Sequence, residues 1–226
     1  MPVGRSSHPP ELSATEIALV AILFAASVLD DIILMMHIAD INDFLLFDYG
    51  KKAVMFAVCL SMPGFRQVCW RAFAAPSVPW NGSGWLNPHV LVVMAGAFAG
   101  DQVLYQIGGT WNWHFGGLEL YQVPPYREDV IKYLDLSFGL VFNSVVEELF
   151  YRAILLAALV RFVPHWGLRI AIAGLMFGAV HWSQGIVWVA TISFLGCLFG
   201  YLYHLTRSIF PGIVVHTAHN LIAFTN

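Results

Sequence analysis

Glu147-Glu148-Leu149-Phe150-Tyr151-Arg152 sets two adjacent carboxylates and an arginine inside an apolar run, 137–160, that is long enough to cross a bilayer. An ionised side chain at membrane depth costs at least ~2.5–3.5 kcal/mol, so such a cluster implies neighbours that neutralise it or use it. Two further apolar segments carry polar groups to match. His181 closes Phe177-Gly178-Ala179-Val180-His181, and His216-Thr217-Ala218-His219-Asn220 brings histidines and an amide into the last apolar stretch. Acid, base and amide donors gathered at membrane depth point to hydrolysis of a bond that the membrane delivers.

The composition sets the class. Charged residues make up only 11% of the chain and hydrophobic ones 58%, whereas a soluble domain carries about 25% charged residues. The mean hydropathy of +0.69 agrees. The expected fold is an all-α polytopic membrane protein, a single integral-membrane domain over 1–226, with the lipid bilayer as its surroundings. A net charge of −3 without any basic run argues against nucleic-acid binding. Cys59, Cys69 and Cys197 lack zinc-type spacing and read as small core residues. Arg5 followed by an apolar run from Ile17 has the look of a secretion signal. That run continues to about residue 38 without an Ala-x-Ala site, which favours a retained first helix.

A span needs about 20 mostly apolar residues. Seven stretches qualify as candidates: 17–38, 44–62, 90–107, 136–160, 168–182, 186–205 and 209–224. The second is interrupted by Asp48, Lys51 and Lys52, so its helix is expected to start near Ala53 and to be short or interfacial. Pro63-Gly64 ends it. The stretches 75–88 and 110–127 read as loops, the latter with Trp111, Trp113, Phe115 and Tyr121 suited to the headgroup region. With a cytoplasmic N-terminus, Arg5, Arg66, Arg71, Arg161, Arg169 and Arg207 lie inside, while Lys51, Lys52, Arg127 and Lys132 lie outside. The compact length and short loops suggest a bacterial cytoplasmic membrane. Gly96–Gly100, Gly174–Gly178 and Gly196–Gly200 form small-residue faces, expected to serve internal helix packing.

Helical geometry divides the labour of the charged cluster. Glu148 and Arg152 stand four apart on one face and can neutralise one another, leaving Glu147, turned about 100° away, to face a cavity as a base. A purely structural ion network is the competing reading. His181 near a glutamate becomes a proton partner; by itself it would be an interfacial or packing residue. His216 and Asn220 share a face and can donate to an oxyanion, or merely bond between helices. His219 falls near that face as a bystander or supporting residue. Asp30, Asp31 and Asp101 need a cavity or cationic partners, Lys51 and Lys52 among the candidates. Asp135 reads as a boundary residue and Asn143 as a packing residue, one turn before Glu147 and able to touch the site.

Glu-Glu-x-x-x-Arg, then Phe-x-x-x-His, then His-x-x-x-Asn, in that order on successive membrane helices, is similar to the motif set of the CPBP family. These are the CAAX-protease and bacteriocin-processing intramembrane proteases. The chain resembles them from about Ser137 onward, including Ser208-Ile209-Phe210-Pro211 before the last span; Ala153 stands where members often have glycine. The resemblance implies N-terminal helices and loops over 17–132 and a four-helix catalytic core over 133–226. It implies a glutamic-type endopeptidase in which Glu147 activates water with help from His181, His216 and Asn220 stabilise the oxyanion, and Glu148 and Arg152 support the site.

Glu147, His181 and His216 could instead hold zinc. No His-Glu-x-x-His segment accompanies them, and Asn220 suits an oxyanion donor better than a zinc ligand, so the metal-free reading, with no cofactor, is preferred. The expected partner is a peptide or protein substrate presented at the membrane. Maturation of a secreted peptide or removal of a C-terminal sorting anchor is favoured over cleavage of a prenylated CAAX motif. A non-catalytic scaffold and a proton-relaying transporter are the rivals from other classes.

Overall fold

Where each helix begins and ends follows from local chemistry. The computed structural model describes residues 12–37, 40–74, 76–78, 82–84, 86–115 and 130–225. Helix α1 (Ala14–His37) opens on a reciprocal cap: Ser13 Oγ accepts from Glu16 N at 3.3 Å, and Glu16 Oε2 accepts from Ser13 N at 2.8 Å. Helix α2 (Ile41–Ser61) starts where Asp40 accepts from Asn42 N at 2.8 Å. Pro63 takes the first turn of α3 (Pro63–Ala72), where a missing N–H costs nothing, and the chain bends by 101° between α2 and α3. The Glu16 carboxylate also accepts from Gly64 N at 2.6 Å, so one side chain caps two helices.

Helix α4 (Pro88–Phe115) follows a short segment that holds a two-residue antiparallel ladder, β1 (Ser77–Val78) with β2 (Gly82–Ser83). Helix α5 runs unbroken over 130–159 and contains two π-helical stretches, Asp135–Gly139 and Leu149–Ile154. Helices α6 (Trp166–Ala179), α7 (Ile186–Thr206) and α8 (Phe210–Thr225) complete the chain, with a 3₁₀ turn at Trp182–Gln184 between α6 and α7. Arg207, at φ 56°, ends α7 in the left-handed conformation, and Ile209 N then bonds Ala72 O at 2.9 Å, tying the start of α8 to the end of α3.

The main core lies around α5. Leu149, Phe150 and Ile154 pack with Phe65, Phe177 and Ile209, so the middle of α5 is enclosed by α3, α6 and α8. Helices α6 and α7 meet at small residues. A Cβ on Gly196 would come 2.9 Å from Gly174 Cα, and one on Gly174 would come 2.8 Å from Ser193 O. Both glycines therefore serve internal packing, as expected. Gly96 faces open space and has no such role.

The chain is an all-α polytopic membrane protein, and the bounds of some expected spans shift. Among the described residues, Pro88–Asn112 and Ile186–Thr206 are long and apolar enough to cross a membrane, with α2 and α3 a third if they count as one bent span. Hydropathy alone counts apolar residues and misses where the backbone turns. Helix α6 stops at Ala179 for this reason, and α5 carries its charged cluster at mid-length. The helix expected from Ala53 starts at Ile41, because Asp48, Lys51 and Lys52 neutralise one another within the protein. The stretch expected as a loop from residue 110 is helical to Phe115; Tyr121 and Arg127, like Arg5, lie outside the described residues.

Candidate active site

Leu149–Ile154 is the segment that aims the charged cluster. Its π-helical hydrogen bonding, seen in Leu155 N bonding Phe150 O, inserts an extra residue into one turn, a feature frequent at functional sites. All six residues of the segment are buried. Glu148 and Arg152 point away from the cavity. They are 0% and 1% exposed, and Arg152 Nε lies 3.4 Å from Glu148 Oε2, an ion-pair distance rather than a hydrogen bond. Three aromatic faces receive the guanidinium: Phe177 at 4.5 Å, Phe199 at 5.5 Å and Tyr151 at 5.8 Å.

Glu147 faces the other way, onto a cavity of about 440 Å³ whose wall also includes His181, His216 and Asn220. The four residues expected to carry chemistry thus meet at one space, and the two expected to support it lie behind. His216, on α8, stands between the paired carboxylates: Nε2 is 3.5 Å from Glu147 Oε2 and Nδ1 is 3.2 Å from Glu148 Oε1. Phe177 and Phe199 flank its ring at 5.9 and 5.2 Å. His181 sits on the turn after α6, where Nδ1 bonds Phe177 O at 2.9 Å and Nε2 is left for the cavity. The indole of Trp182 donates to Val28 O at 2.7 Å, fastening that turn to α1. Asn220 Nδ2 is buried and has no hydrogen-bond partner among the described residues.

Several residues at or near the wall were given no catalytic role by the sequence. Lys52 reaches Glu147 Oε1 at 3.6 Å and also contacts Asp48. His219 Nδ1 lies 3.0 Å from Oδ2 of the fully buried Asp101, with Tyr105 edge-on to its ring at 5.1 Å. The cost of burying Asp101 and Lys52 was the signal in both cases, since each demanded a partner of opposite character. Asp135, expected at a boundary, is instead buried in the first π stretch and accepts from the Tyr49 hydroxyl. Asn143 lines the cavity, and so does Asp31.

Zinc would need its donors to converge. Among the described residues no three His, Cys, Asp or Glu side chains do so, and both ring nitrogens of His216 already face carboxylates.

Apolar helices surrounding a buried carboxylate, two histidines and an amide define a membrane protein with a site equipped for acid–base chemistry. Residues 130–222 match the family model described as Rce1-like, type II CAAX prenyl endopeptidase, and the chain is similar to that family over this segment. It contains all six motif residues. No curated protein and no solved structure matches the chain.

Proposed function

We propose that the protein is an intramembrane endopeptidase that hydrolyses a peptide bond of a membrane-delivered substrate with water activated by Glu147. One observation carries the reading. Of two adjacent carboxylates, Glu148 is spent on Arg152 inside the core, while Glu147 opens onto the cavity beside His181, His216 and Asn220.

The mechanism follows from this placement. Glu147 takes a proton from water as the water oxygen attacks the scissile carbonyl. The carbonyl oxygen becomes an oxyanion and accepts from Asn220 Nδ2–H, the buried donor otherwise unused, and from His216 Nε2–H while Nδ1–H is donated to Glu148. The C–N bond then breaks, and the proton held by Glu147 passes to the leaving amine with His181 as partner. Glu148 and Arg152 fix the ring of His216 and the turn that carries Glu147. No metal takes part in this scheme.

The matched description names a prenyl endopeptidase, whereas length and loop economy favour a secreted peptide or a sorting anchor as substrate. We place the protein in a bacterial cytoplasmic membrane with its N-terminus inside. Wild type and Glu147→Gln in the native membrane separate these substrates and test the chemistry together. A membrane-associated precursor that accumulates only in the variant, identified by mass spectrometry with or without a prenyl group, supports the reading. Unchanged processing at normal protein level removes Glu147 as the base and favours a scaffold.

A further inference from the structure

The charged groups of the site continue into helices outside the family-matched segment. Asp30, on α1, contacts Lys51; Lys51 Nζ lies 3.4 Å from Asp48 Oδ1; Asp48 contacts Lys52; and Lys52 Nζ lies 3.6 Å from Glu147 Oε1. Beyond Glu147 the order runs on through His216 and Glu148 to Arg152. Acidic and basic groups alternate throughout, from α1 through α2 to α5 and α8. We propose that Lys52 is the positioning residue of Glu147, so that α2, which lies outside 130–222, completes the active site. The inference rests on Glu147 being the base.

Three observations support it. Each oxygen of Glu147 has one nitrogen beside it, Lys52 Nζ at Oε1 and His216 Nε2 at Oε2, from two different helices. The Glu147 side chain lines the cavity between these two contacts, and when His216 Nε2–H serves the oxyanion, Lys52 is the contact that stays on the carboxylate. Second, Lys52 is only 8% exposed, and a lysine buried to that degree needs compensation. Asp48 does not supply all of it, because Lys51 draws on the same carboxylate. Third, Lys51 is directed to Asp30 and Asp48, which leaves Lys52 as the cation of this pair that meets Glu147. Lys52 acts through Glu147 and needs no contact with substrate.

A role in merely neutralising Asp48 is separable from a role in positioning Glu147. K52M/D48N removes a buried cation together with the anion beside it, and Lys51 keeps Asp30, so no charge is orphaned on α2, but Glu147 loses its partner on that helix. Precursor processing is followed by pulse-chase in native membranes for wild type, E147Q, K52M/D48N and K52R, normalised to protein level. The expected result is normal accumulation of K52M/D48N with processing slowed roughly 10- to 100-fold, the scale of a displaced reacting group, and a rate in K52R well above that of the double variant. Processing at the wild-type rate in K52M/D48N, with E147Q inactive, overturns the role of Lys52 and leaves the proposed function standing. Normal processing in E147Q overturns both. K52Q/D48N, which keeps length and polarity, takes the place of the double variant if that one does not accumulate, with the same two outcomes.

Discussion

Glu148 and Arg152 form an ion pair that water does not reach, at 3.4 Å, across the start of a π-helical turn and against the ring of Phe177. Removing one member of such a pair leaves an uncompensated buried charge, at a cost of about 3–5 kcal/mol. That is a large part of the stability of a typical domain. Arg152→Met is expected to reduce folded protein sharply, read as membrane level and as thermal unfolding in detergent. Adding Glu148→Gln recovers part of the loss. A wild-type level in Arg152→Met alone denies the pair its structural role.

Glu147 presents the opposite case. Its side chain is 16% exposed and opens on the cavity, so Glu147→Gln keeps shape and removes the base together with one of the two carboxylates beside Lys52. Turnover is expected to fall by about 10²–10⁴-fold, the usual worth of a general base, while unfolding temperature falls far less than in Arg152→Met. Activity that falls only in step with protein level argues against catalysis by this group.

Asn220 offers a test of the oxyanion assignment. Its Nδ2 is buried without a partner among the described residues, so no internal bond is lost in Asn220→Ala. A drop of about 10²–10³-fold in turnover is expected, the cost of one oxyanion donor. A proton relay built on glutamate and histidine would survive the change, and survival of activity therefore favours the transporter reading.

The double cap at Glu16 makes one region acid-sensitive. Burial alone would raise its pKa, but hydrogen bonds from Ser13 and from the backbone N–H groups of Gly64 and Phe65 hold it below the usual carboxylate range. Because the folded-state value is depressed, this stabilisation is complete above the unfolded value of 4.5 and is lost as pH falls through the lowered folded value. Proteolysis of the α1–α3 junction should therefore rise below about pH 4.5 in wild type. In Glu16→Gln the junction should already be weakened at neutral pH, with a flatter dependence on acid.

Chelation tests the metal-free scheme. Purified active protein is expected to keep its turnover after exhaustive treatment with a chelator. Stoichiometric zinc in the active protein, with turnover lost on chelation and restored on readdition, sinks the scheme in which Glu147 alone activates water.

The sequence made the C-terminal half legible because membrane burial turns each polar residue into a demand for a partner. Glu147, Glu148, Arg152, His181, His216 and Asn220 stood out for that reason; four of them line one cavity, and Glu148 and Arg152 lie behind it. In the N-terminal half the same logic named Lys51 and Lys52 as partners for the buried aspartates, and Lys51 does meet Asp30. Lys51 and Lys52 were taken to break a helix, yet charges that satisfy one another across α1, α2 and α5 leave the helix intact. Partners distant in sequence, such as Asp101 and His219, have no local pattern to betray them. The π turns were equally hidden, since the α and π forms differ by one residue per turn and not in composition.

That one residue has a further consequence. Deleting a single position within 149–154 would let the segment relax into an ordinary α-helix, and because the wide turn absorbs the extra residue, the stretches on either side would keep nearly the same facing. Glu147 and Leu155 would hold their places, while the side chains between them, Arg152 included, would be redistributed. The fold should therefore bear a one-residue deletion here better than one elsewhere in the helix, where everything beyond would turn by about 100°, yet the deletion should disturb the pairing of Arg152 with Glu148.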